Sequence, residues 1–192
     1  MKAVELLQYT CLHLTHGQFL DLSYETRNDL SISDYWHMVE GKTAALIAAS
    51  TELGALSAFC DDQVCLLYRN FGRSLGLAFQ AQDDWLGIWG NSNLTGKSSQ
   101  SDLVTGKITL PVIFGLSLAG DFARRWKAGP ILPAQVPEII ELLEAEGGKK
   151  FAEEQATLHL NEAIATLANT YPQGPAVEAL KNLAISLVNR QA

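Results

Sequence analysis

At 192 residues, 47% hydrophobic and 18% charged, the chain has the size and apolar content of one globular domain spanning 1–192, and a second independent domain is not expected. A net charge of −7 argues against nucleic acid, because gripping a phosphate backbone takes a dense basic surface; a phosphate ligand would have to be met by local charge. No signal-peptide core follows Met1-Lys2-Ala3-Val4-Glu5, and no uncharged apolar run of about 18 residues marks a membrane span. Cys11, Cys60 and Cys65 form no C-x-x-C pair and have apolar neighbours, which reads as small buried hydrophobes in a reducing compartment, the cytoplasm.

Nearly every segment has helical periodicity, so the predicted class is all-α. Residues 1–22 form the first helix. Ser31 or Ser33 caps a second, with Asp34 in its first turn. Gly41-Lys42-Thr43 interrupts an otherwise continuous apolar pattern, and from Thr43 to Phe59 a run rich in alanine and serine predicts a central helix that neighbours can approach closely. Asp61-Asp62 open the longest helix, which runs to about Trp89. Asn91 to Gly106 reads as a polar loop, long enough inside one domain to suggest function. Helix resumes near Lys107 and fades by Gly120. Pro130, Pro133 and Pro137 bracket a connector, and the remainder gives two or three amphipathic helices broken at Gly147-Gly148 and Pro172.

One stretch of the longest helix is chemically expensive. In Phe79-Gln80-Ala81-Gln82-Asp83-Asp84-Trp85-Leu86-Gly87, two carboxylates sit inside an apolar run, where acids are costly unless a cation lies over them. Gln80, Asp83, Asp84 and Gly87 fall at i, i+3, i+4 and i+7, on one face. Oxygen ligands without His or Cys favour Mg²⁺, which takes one or two carboxylates and completes its shell with water and phosphate oxygens. Lys42, Lys97 and Lys107 each follow a glycine, and Asp102 lies between the last two; lysine suits phosphate, and a glycine beside it leaves room for approach. Lys42 also sits at the predicted helix interruption, where backbone N–H groups could meet an anion. A Walker A loop is excluded, since its first glycine would fall at Trp36. His13 and His16, at i and i+3 with no third ligand, read as surface or packing histidines.

Four ordered motifs carry a family resemblance: Gly41-Lys42-Thr43-Ala44-Ala45-Leu46, Phe79 through Gly90, Thr95-Gly96-Lys97, and Ser101-Asp102-Leu103 with Gly106-Lys107-Ile108-Thr109-Leu110-Pro111. Over roughly residues 10–115, they resemble the C-terminal half of a trans-isoprenyl (polyprenyl) diphosphate synthase. The resemblance implies an isoprenoid-synthase-type helical bundle around an apolar cavity, lacking its N-terminal helices, and Mg²⁺-dependent prenyl transfer from an allylic diphosphate to isopentenyl diphosphate. It makes Asp83 the principal Mg²⁺ ligand, with Asp84 its partner. Lys42, Gln80 and Lys97 would hold the allylic diphosphate with Lys107 nearby, and Thr43 would line the reacting end. Gln18 and Asp21, in Gly17-Gln18-Phe19-Leu20-Asp21, resemble the polar patch on a cavity-lining helix, and Phe79 would be a cavity wall. The implied partners are the allylic and homoallylic diphosphates, and a second copy or the missing N-terminal half.

Two positions depart from the family pattern. Gly87 stands where the motif has its third acid, and no Asp-Asp-x-x-Asp precedes Lys42; Asp61-Asp62 is read as a helix start. Three expectations follow: the C-terminal portion of a prenyl diphosphate synthase, a non-catalytic synthase-like subunit acting through partner binding, or a class I terpene cyclase. The lysine motifs favour a synthase over the cyclase.

Overall fold

The computed structural model describes residues 2–25, 27, 29–90, 101–170 and 174–188, and among these every regular element is helical. Helix α1 covers Lys2–Tyr24 and α2 covers Ile32–Val39. Of the two candidate caps, Ser31 is used: its hydroxyl accepts the Asp34 N–H at 3.1 Å, while the Asp34 carboxylate accepts the Ser31 N–H at 2.9 Å. The long helix α4, Asp62–Trp89, begins as expected, with the Asp61 carboxylate accepting the Val64 N–H at 2.8 Å.

Gly41-Lys42-Thr43 is not a break. Residues Glu40–Ala44 form a π-helical turn, and helix continues from α2 through it into α3, Ala45–Ser57. The backbone N–H groups at Lys42 are therefore engaged in helix rather than gathered as an anion cradle. The glycine serves close packing instead: a Cβ on Gly41 would lie 2.9 Å from the Gly17 Cα, and one on Gly17 would lie 2.2 Å from the Lys42 nitrogen. With no side chain on either, α1 and the π turn meet backbone to backbone. A π turn widens the helix locally, and such turns occur preferentially at functional sites.

Helix α5, Ser101–Thr105, forms inside the stretch expected to be loop, and residues 91–100 lie outside those described. Lys107 precedes the next helix rather than opening it: α6 is Leu110–Ser117. A further short helix, α7 at Asp121–Lys127, follows Gly120, where the sequence pattern fades. Pro133 starts a 3₁₀ turn, Pro133–Gln135, and Pro137 sits in the first turn of α8, Val136–Ala145, where its missing N–H costs nothing. Gly147, at φ 88°, ends α8; α9 spans Gly148–Ala168 and α10 spans Pro175–Val188. Pro172 lies outside the described residues.

Helix α3, expected to be central, packs its Ala48, Ala49 and Ala55 face against α1 and α4 but leaves Leu46, Ser50 and Gly54 exposed. The central helix is α4, with α3 on one side and α9 along the other, because the small residues of α3 serve close approach on one face only. One apolar core, including Tyr35, Val39, Phe71, Leu75, Ala163 and Leu167, joins α2, α4 and α9; a second, including Ile88, Leu103, Phe122, Ile139 and Leu143, supports the end of α4. Of the cysteines only Cys65 is buried; Cys60 is partly covered and Cys11 is exposed, since it lies off the α1 positions that are buried, Thr10, Gly17 and Tyr24. At the surface, His13 packs at a tilt against Tyr9 of α1, and His16 meets His37 of α2 edge-on. No helix among the described residues is long and apolar enough to cross a membrane.

Candidate diphosphate site

The π turn, the C-terminal part of α4, the end of α1 and the segment leading into α6 converge. Lys42, on the π turn, places its Nζ 2.6 Å from Asp21 Oδ2 on α1, and Gln18 lies one turn earlier with its amide 3.4 Å from the same oxygen. Both members of the pair are partly buried, so the lysine is held in place with its charge already balanced. The Thr43 hydroxyl donates to Gln80 Oε1 at 2.8 Å, joining the π turn to α4. Phe79, beside Gln80, is half-buried. A cleft of about 440 Å³ opens between Asp21 and Lys107, floored by Tyr24, Tyr35, Met38 and Ile113.

The two adjacent acids have different environments. Asp84 is 1% exposed. Its Oδ2 accepts the Tyr35 O–H at 2.7 Å and the Leu110 N–H at 2.9 Å, and its Oδ1 accepts the Gln80 amide at 3.0 Å with Lys107 Nζ 3.8 Å away. Three hydrogen bonds and one ammonium use the acceptor capacity of a carboxylate. Asp83, one residue earlier, is half-buried, and no hydrogen bond or ion pair joins it to another described residue. The sequence assigns both acids to one metal, whereas the fold turns Asp84 inward and leaves Asp83 accessible.

Asp84 does local structural work in that position. Thr109 makes no side-chain cap for α6, and the Asp84 carboxylate meets the first N–H of that helix instead, at its positive end. Burial pushes the Asp84 carboxyl above the usual aspartate range, against the opposing pull of Lys107, the Leu110 N–H, Tyr35 and Gln80. Burial works against the Lys107 ammonium too, but Asp84 and Asp102 outweigh it and raise its pKa above that of an ordinary lysine. Burial and the neighbouring Asp84 charge hold Tyr35 far above the normal phenol range, so it remains a hydrogen-bond donor.

Lys107 is thus turned toward carboxylates: Asp102 Oδ2 is 3.4 Å from its Nζ, and its backbone N–H bonds the Asp102 carbonyl at 2.9 Å across a turn in which Gly106 adopts φ 71°. Asp102 also accounts for Gly87. A Cβ at position 87 would lie 2.4 Å from Asp102 Oδ2, so the glycine leaves room for a carboxylate arriving from α5. Lys97 lies outside the described residues. Tyr35 and the Leu110 N–H escaped sequence reasoning, since a buried tyrosine on an amphipathic helix and one backbone amide carry no motif; the lone acid in Ser101-Asp102-Leu103 was visible, but its place opposite Gly87 was not.

No group of three His, Cys, Asp or Glu side chains suited to a metal occurs among the described residues. An all-protein cage is therefore not what these residues offer. One accessible carboxylate beside lysine and carboxamide matches the way Mg²⁺ is held jointly by protein and substrate phosphate.

The site thus gathers lysines, a carboxamide, a hydroxyl and carboxylates in an all-helical bundle, with Asp83 the acid that no hydrogen bond or ion pair joins to another described residue. The comparisons with known proteins are specific: residues 1–128 match the polyprenyl synthetase family, to which the chain belongs. It is 38% identical to the (2E,6E)-farnesyl diphosphate synthase of Mycobacterium tuberculosis (strain ATCC 25618 / H37Rv) over 99% of this chain and 55% of that protein. It is 37% identical to the geranylgeranyl diphosphate synthase of the same organism, over 95% of this chain and 53% of that one. Among solved structures, the polyprenyl synthase from Caulobacter crescentus CB15, complexed with calcium and isoprenyl diphosphate, superimposes with a TM-score of 0.90 at 32% identity, covering all of this chain and 60% of that one. The chain spans about half the length of the curated relatives it matches.

Proposed function

We propose that this chain is the diphosphate-ionising half of a prenyl diphosphate synthase, acting in the condensation of isopentenyl diphosphate with an allylic diphosphate. The observation that carries the proposal is the Thr43–Gln80 bond, which joins the π turn bearing Lys42 to the turn of α4 that carries the accessible Asp83, on a chain whose relatives are farnesyl and geranylgeranyl synthases. Asp83 would hold Mg²⁺ together with diphosphate oxygens, and the calcium and isoprenyl diphosphate complex of the Caulobacter relative supports a divalent ion in that role. When bound, the ion supplies Lewis-acid neutralisation of the departing diphosphate. Asp84 supports it from behind rather than as an equal ligand. Lys42 exchanges its contact with Asp21 for phosphate oxygens, Lys97 and Gln80 complete the grip, and Lys107 balances Asp84 and Asp102. Phe79 and the small-residue face of α3 keep water from the allylic cation.

The opposing Asp-Asp-x-x-Asp helix comes from another polypeptide segment. Val4, Leu7, Leu12, Phe19 and Leu22 of α1 are exposed, a concentration of apolar surface that suits further helices or a second copy of the chain. Three free cysteines suit a reducing, cytoplasmic setting.

A condensation assay with Mg²⁺, isopentenyl diphosphate and geranyl diphosphate tests this. No elongated product is expected from the chain alone. Product should appear on adding a polypeptide that supplies the N-terminal helices of a close relative. Turnover by the chain alone would overturn the need for a second half, and no product in either arm would overturn the prenyltransferase assignment.

A further inference from the structure

We propose that Tyr35 is a positioning residue for diphosphate binding, acting through Asp84 on the carboxamide of Gln80; this rests on the assignment of the site to prenyl diphosphates. Tyr35 is 1% exposed on α2, 49 residues from Asp84 in sequence, and lies in the floor of the cleft between Asp21 and Lys107. Its hydroxyl touches the oxygen that sets how the Asp84 carboxylate is turned. Oδ2 is held by the Tyr35 O–H and the Leu110 N–H, and this leaves Oδ1 facing Gln80 and Lys107.

A carboxylate only accepts. The end of Gln80 that meets Asp84 must therefore be its NH₂, which fixes the carbonyl end toward Thr43, where it accepts the hydroxyl proton at 2.8 Å. The bonds converge on Asp84, which accepts from Tyr35 on one side and from Gln80 on the other, while Gln80 in turn accepts from Thr43; the network joins α2, α4 and the π turn. No bond to another described residue uses the second N–H of the Gln80 carboxamide, and it serves the diphosphate. Without the Tyr35 hydroxyl, Oδ2 keeps a single N–H, the carboxylate is free to rotate toward Lys107, and the Gln80 carboxamide loses the partner that distinguishes its two ends. Binding sites depend on this kind of support, in which the rotamer of a contacting group is locked from behind.

The test is a double-mutant cycle on the whole chain, read as the affinity for geranyl diphosphate in the presence of Mg²⁺. Tyr35→Phe removes one hydroxyl and keeps the ring, and should weaken binding about three- to tenfold, part of the value of a hydrogen bond to a charged group. In a Gln80→Leu background the same substitution should add less than about twofold, because its route to the ligand is gone. Asp84→Asn supplies a second variant of nearly equal volume: its amide donates toward Gln80, reverses the carboxamide and should weaken binding similarly. Unchanged affinity in Tyr35→Phe would overturn the proposal, as would effects of Tyr35→Phe and Gln80→Leu that simply multiply, the mark of a general loosening of the bundle. Failure of the unsubstituted chain to bind would overturn the diphosphate assignment itself, and this inference with it.

Discussion

Replacing Asp84 by alanine is expected to cost about 3–5 kcal/mol of folding stability, the range for removing one member of a buried charged pair. The substitution leaves the Tyr35 hydroxyl, the Leu110 N–H, the Gln80 amide and the Lys107 ammonium without their common acceptor. An unpaired buried donor costs about 1–3 kcal/mol, and because these four share one acceptor their costs overlap rather than add. Such a loss is a large share of the about 5–15 kcal/mol that holds a domain together. Asp83→Ala, one residue away, is expected to shift stability by no more than about 0.5 kcal/mol, as at ordinary surface positions. Urea unfolding of the two variants reads the difference directly, and equal midpoints would show that Asp84 does not join the helices as described.

Gly17→Ala and Gly54→Ala are expected to change stability in opposite directions. Both glycines lie inside helices, where alanine is favoured by about 0.5–1 kcal/mol. Nothing lies within 4 Å of a Cβ added at Gly54, so that gain should be realised. At Gly17 the new atom would stand 2.2 Å from the Lys42 nitrogen and 2.5 Å from the Gly41 carbonyl carbon, both backbone atoms that cannot turn aside. Overpacking costs about 1–3 kcal/mol and here exceeds the propensity gain, so net destabilisation is expected. The same displacement moves α1 from the π turn and parts Asp21 from Lys42, so Gly17→Ala should weaken diphosphate binding while Gly54→Ala leaves it unchanged. Denaturant midpoints and ligand titration of the two variants check both halves.

The helices themselves were largely legible in the sequence. Ser31 and Asp61 announced their caps, and the extent of α4 to Trp89 followed from its apolar pattern, whereas the small residues of α3 suggested a central helix and instead mark one closely packed face of a half-exposed one. What escaped depended on partners distant along the chain. Gly41 looked like a helix breaker because Gly17, against which it packs, lies 24 positions earlier, and local pattern cannot register a backbone approach of that kind. Asp83 and Asp84 are identical in type and adjacent in sequence. Only Tyr35 and Leu110, from α2 and the start of α6, decide which of them is enclosed. Gly87 looked like a lost acid until Asp102 was found against it. Helix α7 is too short, and too crowded with Arg124, Arg125 and Lys127, for its period to stand out. The motifs therefore named the candidate residues of the site, and tertiary contacts separate those that are enclosed from those that remain accessible.

The most direct test of the central claim, that Asp83 and its neighbours hold a magnesium-bridged prenyl diphosphate, is calorimetric titration of geranyl diphosphate into this chain and into Asp83→Asn, each with Mg²⁺ and with chelator. Saturable binding that requires Mg²⁺ is expected for the unsubstituted chain, with a loss of at least about tenfold, or about 1.4 kcal/mol, in Asp83→Asn and no comparable loss of stability. Binding that is indifferent to Mg²⁺, or undiminished by Asp83→Asn, would contradict it.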